Sequence, residues 1–167
     1  LIVERGVQAV QALPRAIRKK EKVTAETIEN NVRRLIIDES PINPRYYEKM
    51  SELLEALIEQ RKQAALSYQD YLAQIVELAR QAAAGPRAGS YPRSLDTVAR
   101  RALYDNLGQD EALALRVDQA VRSNLQDAWR SNAMKTKRVR QAIAAVLGNH
   151  DGRLDDTLAL VKSQNDY

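Results

Sequence analysis

The sequence predicts an all-α protein, a helical bundle in two lobes. Apolar residues recur at spacings of three and four along most of the 167 residues, as they do on the buried face of an amphipathic helix. The alternating Val, Ile or Thr of a strand does not occur, and no internal repeat is visible. Glycine and proline concentrate in one stretch, residues 82–92, which separates two groups of predicted helices.

The chain opens inside a predicted helix, because Val3, Val7 and Val10 already form an apolar stripe. Its first residue is Leu1 and not Met, so we expect a fragment of a longer polypeptide. Pro14 then ends this predicted helix, and a new segment begins there.

The second predicted helix ends in a stretch that imitates a motor signature. Thr24 is its expected N-cap, and it ends near Ser40 because Pro41 and Pro44 disfavour helical backbone in the residues before them. Its last turns, residues 34–40, read RLIIDES, like the magnesium-binding motif of helicase-type ATPases. That motif requires a strand and a phosphate loop, yet no glycine here is followed by Lys. We therefore interpret RLIIDES as helix.

Two strong helical stripes follow and predict an antiparallel hairpin from Pro44 to about Arg80. Pro44 suits a first helical turn, and Ser67 with Asp70 resembles a capping box at the start of the second helix. Almost no loop separates the two helices, as in an αα-hairpin. The stripes comprise Tyr46, Tyr47, Met50, Leu53, Leu54, Leu57 and Ile58 in the first helix and Tyr68, Tyr71, Leu72, Ile75, Val76 and Ala79 in the second.

The Gly- and Pro-containing stretch sets the predicted domain limits. Residues 1–84 form an N-terminal helical lobe with the long hairpin, residues 85–93 a linker, and residues 94–167 a smaller C-terminal helical lobe.

Four helices are expected in the C-terminal lobe. Ser94 caps the first, which stops at Gly108, and Asp110 caps the second. The third runs from about Ala133 to a C-cap glycine, Gly148. The apolar stripes are Leu95, Val98, Ala102, Leu103 and Leu107; Leu113, Val117, Val121 and Leu125; Val139, Ile143, Val146 and Leu147; and, in the last helix, Leu154, Leu158 and Val161.

Composition excludes several kinds of function. The chain has no Cys, which removes disulfides and thiolate metal sites. Its 26 basic and 22 acidic residues give a net charge of +4, which permits an acidic partner without requiring one. No apolar run approaches the roughly 20 residues of a membrane span, and the start lacks a signal-peptide pattern. We expect no membrane contact and a cytoplasmic protein.

No motif predicts catalysis. No Glu has Lys two residues later, as a restriction-type nuclease site would require. His150 has one neighbouring acid, too few ligands for zinc. Acid pairs such as 38–39, 110–111 and 155–156 lie at helix ends, where cap and dipole effects explain them. We predict no catalytic residue, no metal ligand and no cofactor-binding residue in this chain.

Charge is the remaining signal. Residues 129–140 contain five basic residues and no acid, beside the single tryptophan. Such a segment is either a solvated helix face or a patch that meets phosphate or an acidic protein surface. The candidate partner or DNA contacts are Trp129, Arg130, Lys135, Lys137, Arg138 and Arg140.

Five runs resemble a known family. Residues 26–39, 41–54, 102–107, 129–140 and 162–165 are similar to the C-terminal region of the restriction (R, motor) subunit of type I restriction-modification enzymes. The runs are spread from residue 26 to residue 165, so the resemblance covers nearly the whole chain.

The resemblance implies a helical region that follows the nuclease and helicase-like domains of an ATP-dependent DNA translocase and endonuclease. Such a region helps the R subunit to join the methyltransferase core of modification and specificity subunits. ATP and Mg²⁺ are then expected in the domains N-terminal to this chain. Two functions stay open, docking on the methyltransferase and contact with duplex DNA along the translocation path.

Overall fold

The computed structural model describes residues 18–167, with side chains from Glu21 onward. The predictions for the opening helix and for Pro14 lie outside these residues. Within them the chain forms seven α-helices and no strand, which confirms the all-α class. The helices are α1 Arg18–Glu39, α2 Pro44–Lys62, α3 Tyr68–Ala84, α4 Val98–Asn106, α5 Glu111–Arg122, α6 Ala133–Leu147 and α7 Leu154–Lys162.

The described chain divides into two compact units. The first comprises the described residues up to Ser40 together with Tyr47–Gly85, and the second comprises Pro41–Tyr46 together with Pro86–Tyr167. Four of the seven described helices belong to the second unit. The predicted division into 1–84, 85–93 and 94–167 stays a prediction.

Helix α1 is longer than predicted. It begins at Arg18, so Thr24 lies inside the helix and the prediction of an N-cap at Thr24 was wrong. Lysines and glutamates around residue 20 favour helix as well as a charged loop, which is why the start was misplaced. The RLIIDES stretch is helical as interpreted, with Ile36 buried and Ile37 68% exposed.

Helices α2 and α3 run in opposite directions. The Tyr47 hydroxyl, near the start of α2, donates a hydrogen bond of 3.0 Å to the Ala82 carbonyl near the end of α3. Ser67 caps α3 as predicted, because its Oγ accepts from the Asp70 N–H at 3.1 Å. Leu54 is fully buried, whereas its neighbour Leu53, at the edge of the apolar stripe, is 52% exposed.

The caps of the second unit agree with the sequence except at one helix. Asp110 caps α5 by accepting from the Leu113 N–H at 3.0 Å, and Gly148 ends α6 with a φ of 104°, which only glycine adopts readily. Ser94 does not cap α4. Thr97 does, through a 3.1 Å bond from the Arg100 N–H, since it directly precedes the first helical residue.

The apolar core of the second unit draws on all four of its helices and on the turn before α6. Its largest fully buried residues all belong to the apolar stripes predicted from the sequence. They are Leu95, Leu103, Leu107, Val117, Val121, Val139, Ile143 and Val161.

Residues 41–46, which include most of the segment between α1 and α2, belong to the second unit. Asn43 is buried, donates to Asp105 Oδ2 at 2.8 Å, and accepts from Asn106 Nδ2 at 2.8 Å. The Tyr91 hydroxyl, in the predicted linker, donates to the same Asp105 oxygen at 2.5 Å. Such bonds between side chains 62 or 63 positions apart leave no local pattern in the sequence.

Among the described helices, none combines the length and the apolar composition that a membrane span requires.

Candidate interaction surface on helix α6

Helix α6 carries most of the predicted site residues, and its local sequence explains its position. Asn132 caps it, because its Oδ1 accepts from the N–H groups of Met134 at 3.0 Å and Lys135 at 3.1 Å. Val139 and Ile143 are fully buried and fix which side of the helix faces the core. The helix contains no Asp or Glu, so every charged side chain on its outward side is basic.

Trp129 lies in a short 3-10 turn before α6 and belongs to the core. It is 3% exposed, and the Arg130 guanidinium lies 4.9 Å from the centre of its ring. Its buried indole Nε1 has no hydrogen-bond partner among the described residues. A ring so placed packs against apolar neighbours and offers no face on which a nucleotide base could stack.

Arg130 stabilises the end of α7. Its Nε donates to the Lys162 carbonyl at 2.9 Å and its Nη2 to the Gln164 carbonyl at 2.5 Å. Carbonyls in the last turn of a helix lack partners within the helix, so a guanidinium there acts as a C-terminal cap. Two of the five N–H donors of Arg130 are thus used inside the second unit.

Three further predicted residues have internal partners. Lys135 Nζ donates to the Asp127 carbonyl at 2.7 Å, and Arg138 Nε donates to Asn124 Oδ1 at 3.3 Å. Arg140 forms an ion pair of 3.0 Å with Asp155, whose side chain is 84% exposed. The long Arg138 contact and the exposed Arg140 pair are weak, because solvent screens them.

Lys137 differs from the other five. It is exposed, and within residues 21–167 its side chain makes no hydrogen bond or ion pair. Its ammonium is therefore available to an outside partner without losing any contact of the fold.

Four side chains form a continuous outward face, which we call the α6 face: Met134, Lys137, Arg138 and Gln141. All are exposed, and their spacing of three, four and seven residues places them together. Met134 and Gln141 lie opposite the buried stripe, with Lys137 on one side and Arg138 on the other. Met134 is 77% exposed, the largest exposure among the large apolar side chains described. Met134 was not among the predicted contacts, although its position off the Val139–Ile143 stripe was the available signal.

Each unit also buries a carboxylate, which the sequence analysis did not anticipate. In the first unit Glu29, 3% exposed, accepts from Arg61 Nε at 2.6 Å and Nη2 at 3.2 Å, and from the Tyr71 hydroxyl at 3.0 Å. Burial, together with the charge of Glu29 and the hydrogen bond to it, raises the pKa of Tyr71 well above its usual value. Tyr71 is therefore protonated at neutral pH and can donate to Glu29.

In the second unit the buried carboxylate is Asp118, 1% exposed. It accepts from Arg100 Nε at 2.9 Å, from Arg122 Nε at 3.1 Å and from the Tyr167 hydroxyl at 2.5 Å. Burial alone would raise the pKa of Asp118, but the hydrogen bonds from Tyr167, Arg100 and Arg122 outweigh it, and the pKa lies below its usual value. Asp118 is therefore ionised at neutral pH.

Two other residues that the sequence singled out are exposed. Asp38 is exposed in the last turn of α1, and His150 is exposed in the loop after α6. Across the described chain, no group of three or more His, Cys, Asp or Glu side chains could hold a metal ion.

Comparisons with protein-family models, with curated proteins and with solved structures found no match to this chain.

Proposed function

We propose that this chain is a non-catalytic helical module of the R subunit of a type I restriction enzyme, and that its α6 face docks on an acidic surface of the methyltransferase core. The resemblance of the five sequence runs supplies the family. The exposed Met134 of the α6 face carries the choice of a protein partner. Methionine and arginine are enriched in protein interfaces, and a thioether fits irregular apolar surfaces.

Charge supports the same partner. Lys137 and Arg138 flank Met134, and α6 has no acid to repel an acidic surface. A small apolar centre with charged flanks is the usual anatomy of a protein interface, in which the charges speed and orient association.

The alternative function is contact with duplex DNA along the translocation path. The uninterrupted basic character of residues 129–140 favours it. Arg130 and Lys135 are engaged within the second unit, so only about two or three cations would reach phosphates. In this proposal ATP and Mg²⁺ act in domains N-terminal to this chain, and the location is the cytoplasm.

The test is a pull-down of the chain with the purified methyltransferase core, comparing wild type with the double variant Lys137→Glu, Arg138→Glu. We expect the variant to lose most of its binding. The matched control is Lys49→Glu, Lys62→Glu, which makes the same change of net charge at two exposed positions on α2. Met134→Ala should weaken binding without any change of charge.

DNA binding of the wild-type chain and of the same variants is measured over a series of salt concentrations. Contact with two or three phosphates would give a log–log slope of about −2 to −3, reduced by about one for each cation removed. A double charge reversal that leaves assembly intact and abolishes a salt-sensitive DNA affinity would show that the docking proposal is wrong for this face. A reversal that changes neither would leave the face without a partner and also contradict the proposal.

The proposal also includes the absence of an independent ATPase. The purified chain should not hydrolyse ATP above a buffer blank, with or without DNA. DNA-stimulated hydrolysis that falls on Asp38→Asn would instead mean that RLIIDES functions as a motor motif.

A further inference from the structure

Residues 163–167 follow α7, and side chains fasten this segment, which we call the tail, to the second unit. Gln164 is buried and donates from Nε2 to the Ile42 carbonyl at 2.7 Å. Beyond it, Asp166 Oδ2 accepts from the Ala99 N–H at 2.9 Å, and the Tyr167 hydroxyl donates to Asp118. Residues 165–167 make no hydrogen bond between backbone groups in the described chain.

The surroundings of Tyr167 recognise a tyrosine in two ways. The ionised, buried Asp118 accepts the phenolic hydrogen at 2.5 Å, and the Arg122 guanidinium lies 5.0 Å from the ring centre. The first contact requires a hydroxyl, and the second requires an aromatic face. Phenylalanine would satisfy only the second.

The surroundings of Asp166 recognise an acid. Ala99 is in the first turn of α4, where N–H groups have no partner within the helix. Thr97 Oγ1 satisfies the Arg100 N–H, and the Asp166 carboxylate satisfies that of Ala99. The positive end of the helix dipole favours the negative charge.

We propose that α4 and α5 form a peptide-binding site for an acidic residue followed by tyrosine, and that the chain's own Asp166 and Tyr167 occupy it as a reversible intramolecular ligand. Gln164 holds the start of the tail in place, and residues 166 and 167 are the part that detaches. A segment held by a few side-chain contacts opens at a much lower free energy than the core does. Its short tether gives it a high effective concentration, which keeps the site filled.

The site is tested with the full chain carrying Asp166→Gly and Tyr167→Gly, which empties it and leaves every helix and Gln164 unchanged. The probe is a fluorescent peptide with the sequence of residues 163–167, Ser-Gln-Asn-Asp-Tyr, followed by anisotropy. We expect saturable binding to the variant, and binding at least about tenfold weaker to the wild-type chain, whose tail competes.

Two controls test recognition and occupancy. A peptide with Phe in place of Tyr should bind about tenfold more weakly or worse, because it leaves Asp118 without a hydroxyl donor. Hydrogen exchange of the Ala99 amide should be faster in the variant and slow again when the peptide is added.

Absence of saturable binding at millimolar peptide, in a variant with the helix content of wild type, would overturn the proposal, and so would equal affinity for the Tyr and Phe peptides. If the double variant does not fold, Tyr167→Phe replaces it. Faster Ala99 exchange in Tyr167→Phe supports a tail held as one ligand, and unchanged exchange contradicts it.

Discussion

The two buried carboxylates are both bound by arginine and tyrosine side chains, but they join different structural elements. Glu29 in α1 is bound by Arg61 from α2 and Tyr71 from α3, so its contacts join the three described helices of the first unit. Every group in this centre lies on a helix. Its role is to fix the packing of the bundle.

The tyrosine hydroxyl that donates to Asp118 in the second unit comes from the tail and not from a helix. Its two arginines, Arg100 and Arg122, lie on α4 and on its own helix α5. The Arg61 side chain is 14% exposed, whereas that of Arg122 is 35% exposed. The Glu29 centre therefore depends on a single, largely buried arginine. The Asp118 centre has two arginines, and one of them lies near solvent.

The largest effect expected from this difference follows removal of one arginine in each unit. Arg61→Met should lower the free energy of unfolding by about 3–5 kcal/mol, because it leaves the buried Glu29 charge without its cation. Arg122→Met should cost about 1 kcal/mol, because Asp118 keeps Arg100 and Tyr167. Urea unfolding followed by circular dichroism measures both. Equal losses would mean that the two centres are energetically alike.

The apolar contribution of the hairpin is tested at neighbouring positions. Leu54→Ala should lower the free energy of unfolding by about 2–5 kcal/mol, because the side chain is fully buried and its loss leaves a cavity. Leu53→Ala is the matched control and should cost less than about 0.5 kcal/mol, since Leu53 is largely exposed. A loss below 0.5 kcal/mol at Leu54 would contradict its place in the core.

These contrasts show what the sequence could predict. Stripes such as Val139–Ile143 and caps such as Ser67, Asp110 and Gly148 depend on residues within one or two turns, so they were found correctly. The extension of α1 back to Arg18 and the N-cap at Thr97 were missed because several neighbouring residues had similar capping or helix preference.

The polar centres could not be predicted, because their partners are far apart in sequence. Asp118 and Tyr167 are separated by 49 residues, and Glu29 and Arg61 by 32. The candidate site was found as a charge pattern, but only three-dimensional contacts distinguish Lys137, which has no partner within the described chain, from Arg130, which caps α7. Charge runs identify a helix face; they do not reveal which cations are already engaged.

The Asp118 centre should also give a pH signature. Its pKa in the folded chain is lowered, so it contributes stability above the unfolded-state pKa of about 4 and loses it as the pH falls through the lower folded-state value. Asp118→Asn should therefore be less stable than wild type by about 1–3 kcal/mol at pH 7. The difference should be constant from pH 6 to 8 and shrink below pH 4. A gap that is unchanged at pH 2–3 would show that the charge of Asp118 is not its source.

The smallest effects compare one helix cap in each unit. Asn132 Oδ1 accepts from two N–H groups at the start of α6, whereas Ser67 Oγ accepts from one at the start of α3. Replacing either with Ala should cost about 0.5–2 kcal/mol, with Asn132 at the upper end because two donors lose their acceptor. Thermal and urea unfolding of the two variants, each beside a Gly variant that keeps the cap backbone flexible, give the comparison. A larger loss at Ser67 would mean that cap strength here follows the burial of the helix and not the number of N–H groups satisfied, and it would weaken the view that Asn132 fixes the orientation of the α6 face.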